Sequence, residues 1–203
     1  SALDEFTKMN EQLKDYKIKL DSIEKYRQLK QEYKIKSEEL KREFSLENTK
    51  TSEYIEKTRE VQENNILIFK NLAEEFYENK RAGIEVKSNE GINKNRFELK
   101  AKIDDDKGDG VNDVKIFCFD WTILLAKHNH KVNFIFHDSR LLSEIDSRQQ
   151  ATLFNVAYDK TKENDLQYIL SVNQNTLDSL KNEIEEDRYI EIIDNSIILE
   201  LTD

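Results

Sequence analysis

Residues 132–150 read VNFIFHDSRLLSEIDSRQQ, and the parsing of this stretch decides the fold. Val132 to Phe136 is too short for a helix of its own, holds no Gly or Pro, and is rich in aromatic and β-branched residues, which predicts a buried strand. Asp138 stands just past the carboxyl end of that strand, and Asp146 follows eight positions later. Ligands of open α/β sheets collect beyond the carboxyl ends of the strands, and a carboxylate placed there can hold a Mg²⁺ that bridges nucleotide phosphates. The competing reading makes Asp138 the cap of a helix starting after Ser139. The flanking sequence has to decide between them.

Toward the C-terminus, Arg148 to Tyr158 has a helical pattern with Leu153, Phe154, Val156 and Ala157 inward, and KTKEND reads as a loop. LQYILSV (166–172) predicts a second buried strand, ending in Asn173 and Gln174. Asn175 with Asp178 three residues later marks a helix start that continues through Leu177, Leu180 and Ile184. The chain closes on the apolar IIDNSIILELTD. Strand, helix, strand, helix in this order predicts a parallel core sheet with helices packed on it.

Toward the N-terminus, the turn HNHK leads back to VNDVKIFCFDWTILLAK, where Val114, Phe117, Cys118, Trp121, Leu124 and Leu125 fall on one helical stripe. Ile116, Phe119 and Ile123 make most of the remainder apolar, so the helix should be buried on nearly all sides. A strand from Lys115 to Phe119 is the alternative. His128-Asn129-His130 spells the name of a nuclease motif, but three adjacent turn residues cannot surround one ion, and exposed turn histidines are expected. The acidic DDDKGDG (104–110) resembles a calcium loop only superficially, because Lys115 stands where the bidentate Glu of an EF-hand belongs. Upstream, Ile84 and Val86, then Phe97, Leu99, Ala101 and Ile103, alternate with polar residues around SNEGINKN, as in a β-hairpin whose loop contains Gly91.

Before Gly83 the period is helical. Phe6, Met9, Leu13, Tyr16, Leu20 and Ile23 alternate steps of three and four, as a coiled-coil seam requires, and the register slips at Tyr26 and Leu29 before Tyr33, Leu40 and Phe44. The Ser-, Thr- and Asn-rich SLENTKTSEY (45–54) predicts either a turn between antiparallel helices or a frayed joint. Tyr54 to Phe76 then continues as a helix that grows more apolar as it nears a globular head.

Of the 203 residues, 36% are charged, none is Pro and four are Gly, which favours long helices over a loop-rich fold. The net charge of −10 lacks the basic balance of a duplex-binding surface, so DNA would need a local patch, a second subunit or further sequence. A single cysteine excludes a disulfide framework within the chain. No long apolar run or signal peptide is seen, so a soluble, cytoplasmic protein without membrane contact is expected. The opening Ser-Ala has no initiator Met, as in a chain cut from a longer parent.

The order of these elements resembles the C-terminal half of an SMC/RecN-like ABC ATPase head. More narrowly, KIFCFDW, FIFHDS with IDSRQQ, and the terminal LELTD resemble a bacterial domain-of-unknown-function family found at the C-terminus of such ATPases. The resemblance spans roughly residues 60–203. It implies an α/β half-head, a parallel-core sheet with helices and a β-hairpin, after a coiled-coil arm: residues 1–80 form the arm, with a break near 45–53, and 81–203 the head lobe. By position, Gly108-Asp109-Gly110 would be the signature loop, whose backbone N–H groups meet the γ-phosphate of a nucleotide held by the opposite subunit. Asp138 would be the Walker B metal ligand, Asp146 the D-loop aspartate, and Asn173 would occupy the switch position. Implied cofactors are ATP and Mg²⁺. Implied partners are the N-terminal half of the same head, a second copy through coiled coil and head, and DNA or accessory subunits in genome maintenance or anti-phage defence.

Two departures qualify this. Ser139 stands where such ATPases have the catalytic Glu, leaving His137 as a substitute base. No G-x-x-x-x-G-K-[ST] occurs, so the Walker A loop must come from elsewhere and the chain alone is expected to be inactive. The alternative is a non-enzymatic coiled-coil scaffold carrying a degenerate α/β module, with a nuclease a distant third.

Overall fold

The computed structural model describes residues 1–89, 95–104 and 108–198, so Gly91, the middle of the acidic loop and the terminal LELTD lie outside the described residues. It divides into two compact units, Ser1–Glu53 with Asn89–Arg96, and Tyr54–Ser88 with Phe97–Asp203.

In the first unit, α1 (Ala2–Lys57) runs unbroken through the segment expected to be a turn or joint. The Thr49 and Thr51 hydroxyls donate back to the Ser45 and Glu47 carbonyls, and Lys50 pairs with Glu47 one turn away. These residues favour turns when their side chains compete with the helix for backbone partners; here the side chains bond within the helix instead. Arg96 lies over the Phe44 ring at 5.1 Å and donates to Asn48 Oδ1 at 3.0 Å. The seam residues Phe6, Met9, Leu13, Tyr16, Leu20 and Ile23 are each between 50% and 70% exposed.

Near the start of the second unit the helix is distorted at Thr58 (φ −99°, ψ 13°), across which Gln62 donates its side-chain amide to the Ile55 carbonyl. Helix α2 (Arg59–Phe76) follows and buries Phe69, Leu72 and Ala73. Strands β1 (Ala82–Ser88) and β2 (Phe97–Ile103) form the expected antiparallel hairpin, with Ala82 opposite Ile103 and Ser88 opposite Phe97. Helix α3 (Asp109–Ala126) replaces the alternative strand and buries Val114, Phe117, Cys118, Trp121 and Leu124 against α2. It is not buried all round: Ile116 and Ile123 are about half exposed.

β3 (Phe134–His137) and β4 (Gln167–Leu170) pair in parallel, Phe134 opposite Gln167 and His137 opposite Leu170. They make a two-stranded sheet, so the expected larger parallel core is not formed by the described residues. Strand alternation turns Ile135 and His137 toward α3 and leaves Phe134 and Phe136 exposed, which corrects the expectation of a fully buried strand. Helix α4 (Ser147–Asn164) connects β3 to β4 and continues through KTKEN, closing at Asp165 in the left-handed region (φ 52°). The final helix of the sequence reading is two, α5 (Gln174–Leu180) and α6 (Glu186–Ile192), sharing a small core of Leu180, Ile184, Tyr189, Ile192 and Ile193 with Ala151 of α4. Arg188 fixes α6 to α4 through Asp159 and Asn155 and lies over the Tyr158 ring.

Candidate functional site

The chain leaves β3 at His137 and enters a 3-10 turn (Ser139–Leu142) whose first N–H groups need partners. Asp138 supplies one: its Oδ1 accepts the Arg140 N–H at 3.0 Å, so the capping role weighed in the sequence is present. The residue is exposed, and among the described residues its Oδ2 meets no hydrogen-bond or ion-pair partner. The Ser139 N–H donates to Ser171 Oγ at 3.2 Å, tying the carboxyl ends of β3 and β4 together. Two residues past Ser171, Asn173 begins α5 without a side-chain cap bond, exposed at the same end of the sheet.

The second group gathers at the start of α3. Gly108 is its exposed N-cap in extended backbone (φ −90°, ψ 146°), a conformation open to any residue. Asp109 is the first helical residue. Gly110 packs so closely on the segment before α4 that a Cβ there would lie 2.5 Å from the Glu144 carbonyl oxygen. That segment leads into Asp146, the N-cap of α4, whose Oδ1 accepts the Gln149 N–H at 2.8 Å. Glycine at position 110 therefore brings the candidate signature loop and the candidate D-loop aspartate to one edge of the unit.

His137 is elsewhere. It is 8% exposed and points into the core, with Nε2 2.9 Å from Asp120 Oδ2 and Nδ1 3.0 Å from the Tyr168 hydroxyl. A carboxylate only accepts, so Nε2 carries a hydrogen and donates it to Asp120. Burial pushes the Tyr168 phenol well above its ordinary pKa, with the nearby Asp120 charge adding to the effect, so the hydroxyl stays protonated and can donate to Nδ1. Both ring nitrogens are thus engaged internally. The expectation that His137 could act as a substitute base at the strand end is corrected by this geometry. Asp120 and Tyr168 were not singled out from the sequence; the signal for Asp120 is one carboxylate inside the otherwise apolar IFCFDWTILL.

The remaining candidates are structural. His130 Nε2–H donates to the Ile123 carbonyl at 2.9 Å and its Nδ1 accepts the Val132 N–H, closing the turn after α3. Cys118 is fully buried, and burial raises its thiol far above the usual range. Among the described residues no group of three or more His, Cys, Asp or Glu side chains could hold a metal ion. A single exposed carboxylate still suits Mg²⁺, which commonly keeps waters and phosphate oxygens beside one or two carboxylates. ATP finds no phosphate-cradling loop in this sequence.

No helix among the described residues is long and apolar enough to cross a membrane. No curated protein matches the chain. Among solved structures, the chain is similar to one from work on the structural biochemistry of ATP-driven dimerization and DNA stimulated activation of SMC ATPases. Identity is 13%, coverage is 66% of this chain and 78% of that one, and the TM-score is 0.44. Residues 72–203 match the model of a family described as an uncharacterised protein conserved in bacteria (DUF2326). The α2 end, the hairpin, α3 and the β3–α4–β4 unit all fall within that match, and the chain belongs to this family.

Proposed function

We propose that the chain is the C-terminal part of an SMC-like ABC ATPase, supplying signature loop, Walker B carboxylate and D-loop to a composite ATP site. The observation that carries this reading is the placement of the candidates. Asp138 stands exposed at the carboxyl end of a parallel strand, and Gly110 is packed on the segment leading to Asp146. In this reading Asp138 would hold Mg²⁺ together with phosphates cradled by a Walker A half. The first N–H groups of α3 would face the γ-phosphate of a nucleotide held by a second copy. Bound ATP and Mg²⁺ would supply the γ-phosphoryl group and the charge that neutralises its transfer. Ser139 offers no carboxylate to orient water, so turnover is slow or depends on a group from another chain. The partners are the Walker A half, a second copy, and DNA or accessory subunits, with genome maintenance or anti-phage defence as the setting.

A second reading, a non-enzymatic coiled-coil scaffold, is favoured by one observation: Asp138 and Asp146 both spend an oxygen on capping bonds. Asp138→Asn in the natural full-length protein separates the two. Asn keeps the cap and removes the charge that holds the ion, so Mg²⁺-dependent ATP turnover should be lost with thermal stability nearly unchanged. No turnover in the wild type would favour the scaffold, and undiminished turnover in the variant would overturn the Walker B role of Asp138.

A further inference from the structure

We infer that Asp120, His137 and Tyr168 form a positioning clamp that fixes the Asp138-bearing end of β3 against α3. The clamp is read from geometry alone; its effect on turnover rests on the ATPase reading above. Strand β3 has four residues and, among the described residues, pairs only with β4, and its other face carries exposed Phe134 and Phe136. Asp138 itself bonds only locally, to Arg140 two residues on, which sets its rotamer but not its place relative to α3. The neighbouring His137 supplies that link. Its Nε2–H reaches Asp120 on α3 while its Nδ1 takes the Tyr168 hydroxyl on β4, so one side chain joins the three elements at the level of Asp138.

The packing makes the ring hard to reorient. Its centroid is 6.2 Å from that of Phe117 and 5.6 Å from that of Tyr168, and the Trp121 ring packs tilted against Tyr168, centroids 5.6 Å apart. Turning the imidazole would break both hydrogen bonds and leave a partly buried phenol and a buried ring nitrogen unpaired, an outcome disfavoured away from solvent. Helix α3 is held a second time at its N-terminus, where Gly110 meets the Glu144 carbonyl. The same helix therefore carries the candidate signature loop at one end and grips the Asp138 strand near the other. Displacement of a reacting group by about 1 Å can cost about 100-fold in rate, so a clamp at this point governs catalysis without touching substrate. His137 is in this sense a positioning residue.

The test uses the natural full-length protein and two substitutions. His137→Phe keeps a ring in the aromatic cluster and deletes both hydrogen bonds. His137→Gln can restore them, its amide N–H donating to Asp120 and its carbonyl accepting from Tyr168. His137→Phe should lower kcat about tenfold or more with KM for ATP within about twofold, and His137→Gln should recover most of the loss. In parallel, hydrogen exchange at the Ser139 and Ser171 amides, which bond across the strand ends, should quicken in His137→Phe and return toward wild type in His137→Gln. If His137→Phe does not fold, Tyr168→Phe, which removes one oxygen, carries the same expectations at reduced size. Unchanged exchange overturns the clamp whatever turnover does. Quickened exchange with unchanged kcat, where Asp138→Asn is inactive, overturns the positioning role and leaves the ATPase reading intact. An inactive wild type overturns the ATPase reading, an active Asp138→Asn overturns the Walker B role of Asp138, and either removes the effect on turnover, while the exchange result still decides whether the clamp exists.

Discussion

A Cβ built on Gly110 would sit 2.5 Å from the Glu144 carbonyl oxygen and 3.3 Å from its carbonyl carbon, so glycine is required there by the chain's own backbone. A Cβ built on Gly108, two residues earlier, would meet Val111 Cγ2 at 3.9 Å, an ordinary contact. Gly110→Ala should destabilise the fold by about 1–3 kcal/mol or more, since backbone must give way, whereas Gly108→Ala should be nearly neutral. Thermal denaturation of the two variants side by side decides it, and equal melting temperatures would contradict the packing.

This contrast redirects the test of action in trans. A bulky residue at Gly110 would disturb its own subunit, so Gly108→Arg is the better block of approach to a partner's phosphate, because its backbone conformation accepts any residue. Mixed with Asp138→Asn subunits, it yields mixed dimers in which one composite site carries both lesions and the other neither. Turnover in the mixture should exceed that of either mutant alone. No recovery would mean that the sites are strictly coupled or that Gly108 does not act across the dimer.

The sequence contains no Walker A motif, and the described residues give ATP only a helix start and one exposed strand-end carboxylate. Titration calorimetry of the isolated chain with Mg-ATP should give no binding tighter than about 1 mM. A micromolar Kd would show a nucleotide site that the sequence does not reveal.

Leu13 and Leu20, 55% and 57% exposed, lie on the apolar seam of α1. A seam of that kind favours association with another helix. Lys at both positions should weaken self-association, lowering the sedimentation mass at tens of micromolar while leaving helicity nearly unchanged. The same mass in wild type and double variant would remove the seam from consideration.

Much of the architecture could be read from local pattern. The change of period at Gly83, the α3 stripe around Phe117 and Trp121, and the strand before Asp138 all follow from side-chain spacing, which the backbone obeys wherever a core forms on one side. What pattern could not show depended on partners distant in sequence. Whether the Ser- and Thr-rich segment at 45–53 breaks a helix turns on where its hydroxyls bond, and they bond backward along α1. His137 looked like a strand-end base because the sequence does not say which face it takes; its partners lie 17 and 31 residues away. Likewise the close approach of Gly110 to the Glu144 backbone joins segments 34 residues apart, and no local pattern shows it.

The outward Phe134 and Phe136 bear on the colloidal behaviour of the chain. A parallel strand pair is normally covered on both faces, and here two aromatic rings meet solvent while a net charge of −10 opposes association of copies. Electrostatic repulsion of that kind fades as the screening length falls from about 30 Å at 0.01 M salt to about 8 Å at 0.15 M. Light scattering from the isolated chain should therefore rise with ionic strength, and purification at low salt, above the pH where its carboxylates neutralise, is the condition under which it stays dispersed.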